Sequence, residues 1–261
     1  MGKQNKFRYG VGVNMYNLPV VCYSHSSYSD IWDMHFGQLQ KNLDLEKYSN
    51  YLFTDKVDKD IPDGIRVINY DDNLSYSKRL LHCLEKLDSE IILFQHEDMV
   101  LYDKVNLTIF NTIINFFNEY NMDYIKLLKG GHSEDISLDD MPIENLHYIP
   151  HNGLSFAIQP TLWKTEKLID ICKNAGKSNL VGNVAVGDFE EYASEYVNKS
   201  DIHGLYWYSS EPKRGMHHWD SSLYPHGNMI FKGKWVYSEY ELELSKLHKE
   251  YGIDKNSRGI T

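Results

Sequence analysis

Two groups of acids stand where chemistry can be done. His96-Glu97-Asp98 follows the apolar run Glu90 to Gln95, and Asp188-Phe189-Glu190-Glu191 opens a stretch with helical spacing through Val197. Carboxylates serve two chemical purposes: their oxygens ligate hard divalent cations, and a positioned carboxylate removes a proton from a reacting hydroxyl. The run before Glu97 is too short for a helix and carries β-branched and aromatic members, so it reads as a buried strand. Ligands of open α/β sheets gather beyond the carboxyl ends of strands, which places Glu97 and Asp98 to hold a metal and a phosphorylated ligand. The competing reading is a solvated strand end with capping acids. Likewise Asp188 can cap the helix that follows, and Glu190 and Glu191 can simply complement the helix dipole in its first turn.

Such residues need a scaffold, and the flanking sequence supplies one. Val20 to Tyr23, Asn50 to Thr54 and Ile65 to Tyr70 read as strands, the last two closing on Asp55 and on Asp71-Asp72. A helix is expected from Asp30, which can cap it. Leu80, Leu84 and Leu87 form one helical stripe before the central strand, and Val105, Ile109, Ile113 and Phe116 form another after it. Tyr124 to Leu128 and Gly153 to Gln159 read as strands, the latter ended by Pro160, with a helix from Leu162 to Cys172. Gly130 to Asn145 is an exposed loop, and a Gly/Asn-rich loop leads to Gly187. Gly204 to Ser209 is a further strand, Lys232-Gly233 a hairpin turn, and the last 20 residues a polar helix and tail. Strands alternating with helices predict an α/β fold with a mainly parallel, doubly wound sheet.

The 261 residues are 42% hydrophobic and 25% charged, which suits a folded core. A net charge of -10 without a Lys/Arg-rich block argues against a nucleic-acid binder, though a local basic pocket for a nucleoside diphosphate remains compatible. Cys22, Cys83 and Cys172 are odd in number and widely spaced, as core cysteines in a reducing compartment are. The sequence has neither a signal-peptide core nor an apolar run long enough for a transmembrane segment, so a soluble, cytoplasmic protein is expected.

The segments SYSKRLLHCLEKLDSEIILFQHEDMVL, MDYIKLL and LSFAIQPTLWKTEKLIDIC, in that order, resemble a family of small glycosyltransferase-like proteins with a GT-A type fold. Ser29-Asp30-Ile31-Trp32 is similar to an Asp-x-Trp helix start in that family. Phe189-Glu190 resembles a Phe-Glu pair opening a late helix, and Gly227 through Trp235 resembles a closing motif with Gly233-Lys234-Trp235 intact. The likeness implies a single domain over 1-261: a nucleotide-sugar-binding half at 18-130, a smaller C-terminal acceptor-side portion at 131-240, and a helix and tail at 241-261. It implies transfer of a sugar from a nucleotide-diphosphate donor to a glycan or lipid-linked acceptor, with Mn²⁺ or Mg²⁺ bridging the diphosphate. The alternatives are a nucleotide-sugar-binding protein without turnover and, from another class, a metal-dependent phosphoesterase.

On this reading His96-Glu97-Asp98 occupies the place of the family's Asp-x-Asp motif without its spacing, leaving Glu97 and Asp98 both as metal candidates. A late histidine completes the shell in such proteins, and His217, His218 and His226 are available. An inverting transferase needs a carboxylate base. Glu190 is the first candidate, with Asp188 and Glu191 competing. Donor contacts are expected from Ser24 and His25, and from Asp55 with Asp71 or Asp72 as its rival. Arg79 or Lys78 can pair with phosphate, and Lys232 and Lys234 can neutralise the leaving group. Trp219, Tyr224 and Trp235 are candidates for a sugar platform or for core packing, and Trp163 is expected in the core.

Overall fold

The computed structural model describes residues 18–131, 135–137, 142–175, 186–215 and 218–261. The first strand, β1 (Pro19–Tyr23), is buried throughout and leads through a short 3₁₀ segment into α1 (Trp32–Leu43). β2 (Ser49–Thr54), β3 (Ile65–Asn69), α2 (Tyr76–Leu84) and β4 (Ile91–His96) follow. Glu97 and Asp98 form the turn into β5 (Met99–Leu101), after which come α3 (Leu107–Glu119), β6 (Tyr124–Lys126), β7 (Ile136–Ser137) and β8 (Leu146–Tyr148). β9 (Thr161–Lys164), α4 (Thr165–Asn174), α5 (Val186–Val197) and β10 (Gly204–Trp207) complete the large sheet and its helices. The remainder holds β11 (Lys213–Arg214), β12 (His218–Trp219), β13 (His226–Asn228), the pair β14 (Ile230–Phe231) and β15 (Lys234–Trp235), and α6 (Tyr237–Tyr251).

The sheet order is β3-β2-β1-β4-β9-β6-β10-β8-β7. β3, β2, β1 and β4 pair in parallel, β9 is inserted antiparallel between β4 and β6, and β6 pairs in parallel with β10. Only β8 and β9 run against the other strands, so the expected mainly parallel sheet flanked by helices is found. The period-2 alternation of side chains divides the core between its faces. Val20 and Cys22 pack with Trp32 and Phe36 of α1 and Phe110 of α3. Val21 and Phe94 face Leu80 of α2, Leu168 of α4, and Phe189 and Ala193 of α5. All three cysteines are buried and unbonded, and Trp163 is 1% exposed, as expected of core residues.

The sequence reading needs correction in several places. Asp30 caps no helix: Ile31 precedes α1, and the Asp30 carboxylate is bound by Arg258 from the C-terminal segment. The Gly130 to Asn145 stretch contains a short sheet strand, β7, with parts of it outside the described residues. Gly153 to Gln159 is not a strand, and the strand comes after Pro160, where a helix was expected to begin at Leu162. The physical reason lies in α5. Ser194 Oγ accepts from Phe156 N (3.1 Å) and donates to Phe156 O (3.0 Å), and Glu190 Oε1 accepts from Ile158 N (2.6 Å). Asn198 accepts from Ser155 Oγ (2.7 Å) and donates to Gly153 O (2.9 Å). Glu190, Ser194 and Asn198 recur every four residues along one helix stripe, and their side chains do for this segment what a neighbouring strand does elsewhere.

Ser194→Ala strands the Phe156 amide and carbonyl in the interior. It should cost about 1–3 kcal/mol, read as a lower melting temperature by differential scanning calorimetry. An unchanged melting temperature would show that the stripe does not hold the segment.

Candidate active site

The site is built around the Glu97-Asp98 turn. β5 leaves that turn to pair antiparallel with β13, bringing Asn228 opposite Met99 and His226 opposite Leu101. Met229 N donates to Asp98 O at 2.9 Å, and the Asn228 amide, oriented as its neighbours require, donates to Asp98 Oδ2 at 2.9 Å. Asp98 Oδ1 is buried and has no hydrogen-bond partner. Burial pushes the Asp98 carboxyl up to about 7; its own backbone N–H opposes this, and the Glu190 charge adds to it. Glu97, 6% exposed, is also held well above the usual carboxylate range by burial and then by Asp98, while Arg258 and the Ser24 hydroxyl pull it down. Two acids desolvated side by side are a costly arrangement that a nearby cation relieves.

Glu190 reaches the same place from α5. Its carboxylate is anchored by the Ile158 N–H at 2.6 Å and lines a cavity of about 640 Å³ with Met99, Gln159, His226 and Asn228. Met99 follows Asp98 and Asn228 bonds it, so the strand-end acid lies behind the wall that Glu190 lines, close enough for the Glu190 charge to act on it. His226 is 4% exposed and its Nδ1 lies 2.9 Å from Tyr224 O. Burial lowers its pKa to about 4, against the Tyr224 hydrogen bond. The ring is therefore neutral at pH 7, with the Nδ1 proton on the carbonyl and the lone pair on Nε2.

The loops beyond β1, β2 and β3 lie at the same edge of the parallel sheet as the Glu97-Asp98 turn. Ser24 is buried; its Oγ accepts from Trp32 Nε1 (2.8 Å) and its carbonyl from Tyr70 Oη (2.7 Å). Asp55 accepts from Ser26 N (2.7 Å) and Ser26 Oγ (2.8 Å), and although burial opposes it, these bonds and His25 keep its pKa below the usual range. His25 Nε2 lies 3.3 Å from Asp72 and 3.7 Å from Asp55, and its side chain is 35% exposed. Arg79 is occupied by Leu74 O (2.7 Å) and Asp72 Oδ1 (2.9 Å) and stacks over Tyr70. Asp55 and Arg79 thus shape the loops, and His25, its Nδ1 3.0 Å from Ser27 N, stays partly exposed beside the more exposed Asp72.

Of the predicted residues, Glu97, Asp98, Glu190 and His226 are gathered around the β5–β13 junction. Asp188 is exposed in the first turn of α5 and is not its cap, since the helix begins at Val186; it does not line the cavity. Glu191 does line it. Lys234 is exposed on the hairpin opposite Phe231. Tyr224 and Trp235 are fully buried, Trp219 has Lys129 and Lys213 over its ring, and none of the three lines the cavity. His217 and most of the loop before α5 lie outside the described residues. Among the described residues no group of three or more His, Cys, Asp and Glu side chains can hold a metal by itself. Glu97 and the orphaned Asp98 oxygen nevertheless fit a divalent cation that draws its remaining ligands from phosphate and water.

Two residues escaped the sequence reading. Lys126, at 0% exposure, shares a sheet face with Tyr124, which packs with Phe189 and Ala193 of α5, and its Nζ has no hydrogen-bond partner. Burial lowers it to about 7, with Glu190 pulling the other way. Its signal was a single charge inside the apolar string Tyr124-Ile125-Lys126-Leu127-Leu128. Arg258 reaches the 24–31 loop, binding Asp30 and Ser27 O (3.1 Å) with its guanidinium over Tyr28. Nothing local in the sequence ties it to that loop.

No family model matches the sequence, and no curated protein does. Among solved structures, the crystal structure of S. aureus TarS 1-349 aligns with a TM-score of 0.42 and 14% identity over 73% of this chain and 60% of that one. Its complex with UDP-GlcNAc aligns with 0.44 and 13% over 76% and 60%. The UDP complex aligns with 0.43 and 14% over 73% and 59%. This chain therefore spans about 60% of the TarS segment. At that level the likeness assigns neither residue nor activity here.

Lys126→Met removes an unpaired buried amine and should stabilise the fold at pH 6. The folded chain holds Lys126 near 7, whereas the unfolded chain holds it near about 10.4. Between these values the unfolded state binds the extra proton, so the wild type gains stability as pH rises. The advantage of Lys126→Met in urea unfolding should therefore shrink from pH 6 to pH 9. An advantage that is constant or grows with pH would contradict the buried-amine assignment.

Proposed function

We propose that this chain is a glycosyltransferase that moves a sugar from a nucleoside-diphosphate donor to an acceptor hydroxyl with inversion, in the presence of Mn²⁺ or Mg²⁺. The observation that carries the reading is the closeness of Asp98, whose neighbours Met99 and Asn228 line the cavity, to Glu190, which lines it from the other half of the sequence. Glu97 and Asp98 are the residues that would hold the cation, Asp98 through its unpartnered oxygen. When bound, the cation supplies positive charge to the diphosphate as it departs.

The chain's own residues do the rest. Glu190, fixed by the Ile158 amide, accepts the acceptor hydroxyl proton as that oxygen forms its bond to the anomeric carbon. The anomeric bond to the phosphate oxygen breaks on the opposite face, its electron pair leaving with the diphosphate. His226, its pKa lowered by burial, lines the same cavity. His25, held through Nδ1 by Ser27 and through Nε2 beside Asp55 and Asp72, presents its partly exposed ring at the strand ends, where the nucleoside would lie in this arrangement. A glycan or lipid-linked acceptor enters from the α5 side.

A thermal-shift screen of nucleotide sugars with and without Mn²⁺ tests ligand and cation together. At least one donor should raise the melting temperature by several degrees, and only with the cation. Asp98→Asn should abolish that shift. Glu190→Gln should keep the shift and lower transfer by about 100-fold or more. Binding without product in the wild type would make the protein a nucleotide-sugar binder, and no shift with any donor would refute the reading.

A further inference from the structure

The transferase reading leaves open what the acceptor presents to the cavity. At its rim stands Phe231, 54% exposed, with the Lys232 ammonium 5.2 Å from its ring centroid on one side. The ring is held there by the hairpin. Lys232 and Gly233 join β14 to β15 with φ of 50° and 78°, the positive values of a two-residue type I′ turn. The register pairs Ile230 with Trp235 and Phe231 with Lys234. Ile230 and Trp235 are sunk in the core at 3% and 0%, so the alternate residue Phe231 must point outward on a rigid base.

Beside the ring the cavity wall has two characters. Leu154, Ala157 and Ile158 give it an apolar surface, and Glu190, Glu191 and Glu195 line it with carboxylates. Gln159 lies between: it is 9% exposed and its Oε1 has no hydrogen-bond partner. A methyl group at Gly130 would overlap the Gln159 amide, so the glycine keeps that position open for it. A phenyl face next to carboxylate and amide oxygens matches a pyranose ring, whose C–H face lies on the aromatic cloud while its hydroxyls donate to oxygen acceptors. An anionic group carried into the cavity would meet three carboxylates, whereas Lys232 stands at the Phe231 ring and does not line the cavity.

We propose that this cavity is an acceptor subsite for an uncharged pyranose, with Phe231 as its stacking platform and Gln159 receiving one of its hydroxyls. The proposal rests on the transferase reading only for the direction from which the sugar meets Glu190.

Saturation-transfer NMR on the full chain tests it, using methyl β-glucoside, methyl β-galactoside and N,N′-diacetylchitobiose as probes and glucose 6-phosphate as the anionic comparator. At least one uncharged probe should receive saturation on its ring C–H protons. Phe231→Ala should weaken its affinity about fivefold or more. Phe231→Tyr should restore binding, Gln159→Leu should weaken it, and glucose 6-phosphate should compete poorly. Failure of every uncharged probe, equal binding by Phe231→Ala, or preference for the phosphorylated sugar would overturn the platform. Nucleotide-sugar thermal shifts on the same samples separate the two readings. Sugar binding that depends on Phe231 without any nucleotide shift keeps the platform and removes the transferase, and the reverse removes the platform alone.

Discussion

The antiparallel pairing of β5 with β13 is the constraint on which the site depends. It draws a segment from the far end of the sequence across the Glu97-Asp98 turn and buries two carboxylates that would otherwise sit in water. The hydrogen bonds it supplies satisfy Asp98 O and Asp98 Oδ2 and leave Asp98 Oδ1 without a partner. A fold selected for stability alone has no use for that oxygen. The same pairing carries His226 and Asn228 to the cavity and aims the Phe231 hairpin at its rim.

α5 is the second half of the arrangement. Its apolar stripe, including Phe189 and Ala193, seals one face of the sheet. Its polar stripe, Glu190, Ser194 and Asn198, binds the backbone of the 153–158 segment. Glu190 thus belongs to the scaffold and to the cavity at once, and the Ile158 amide fixes its position before any ligand arrives. Lys126 beneath it and Asp98 across from it set opposing charges around one carboxylate. Asp98 and Lys126 are desolvated, so each interacts with the cavity-lining Glu190 more strongly than it would at a surface.

Local pattern made much of this legible. The acids after β2, β3 and β4, the helical stripes of α2 and α3, and the Lys232-Gly233 turn follow from period and turn chemistry that short windows contain. Gly153 to Gln159 was misread because an apolar run reports burial and not the partner of its backbone. That partner was a row of side chains on a helix some thirty residues later, and its trace was the four-residue spacing of Glu190, Ser194 and Asn198. Composition offers Trp219, Tyr224 and Trp235 as a platform or as core, and it cannot decide that hairpin register sends Trp235 inward and Phe231 outward. Arg258 against Asp30 is a contact across nearly the whole chain, and no window records it.

The central claim is spatial: a cation held at Asp98 places a donor sugar before Glu190. Anomalous diffraction from crystals soaked with Mn²⁺ and a nucleoside diphosphate tests it directly. The account requires a manganese peak within ligand distance of an Asp98 carboxylate oxygen, with the terminal phosphate turned toward the Glu190 cavity. A manganese–nucleotide complex bound elsewhere, with Asp98 Oδ1 still unliganded, would contradict it.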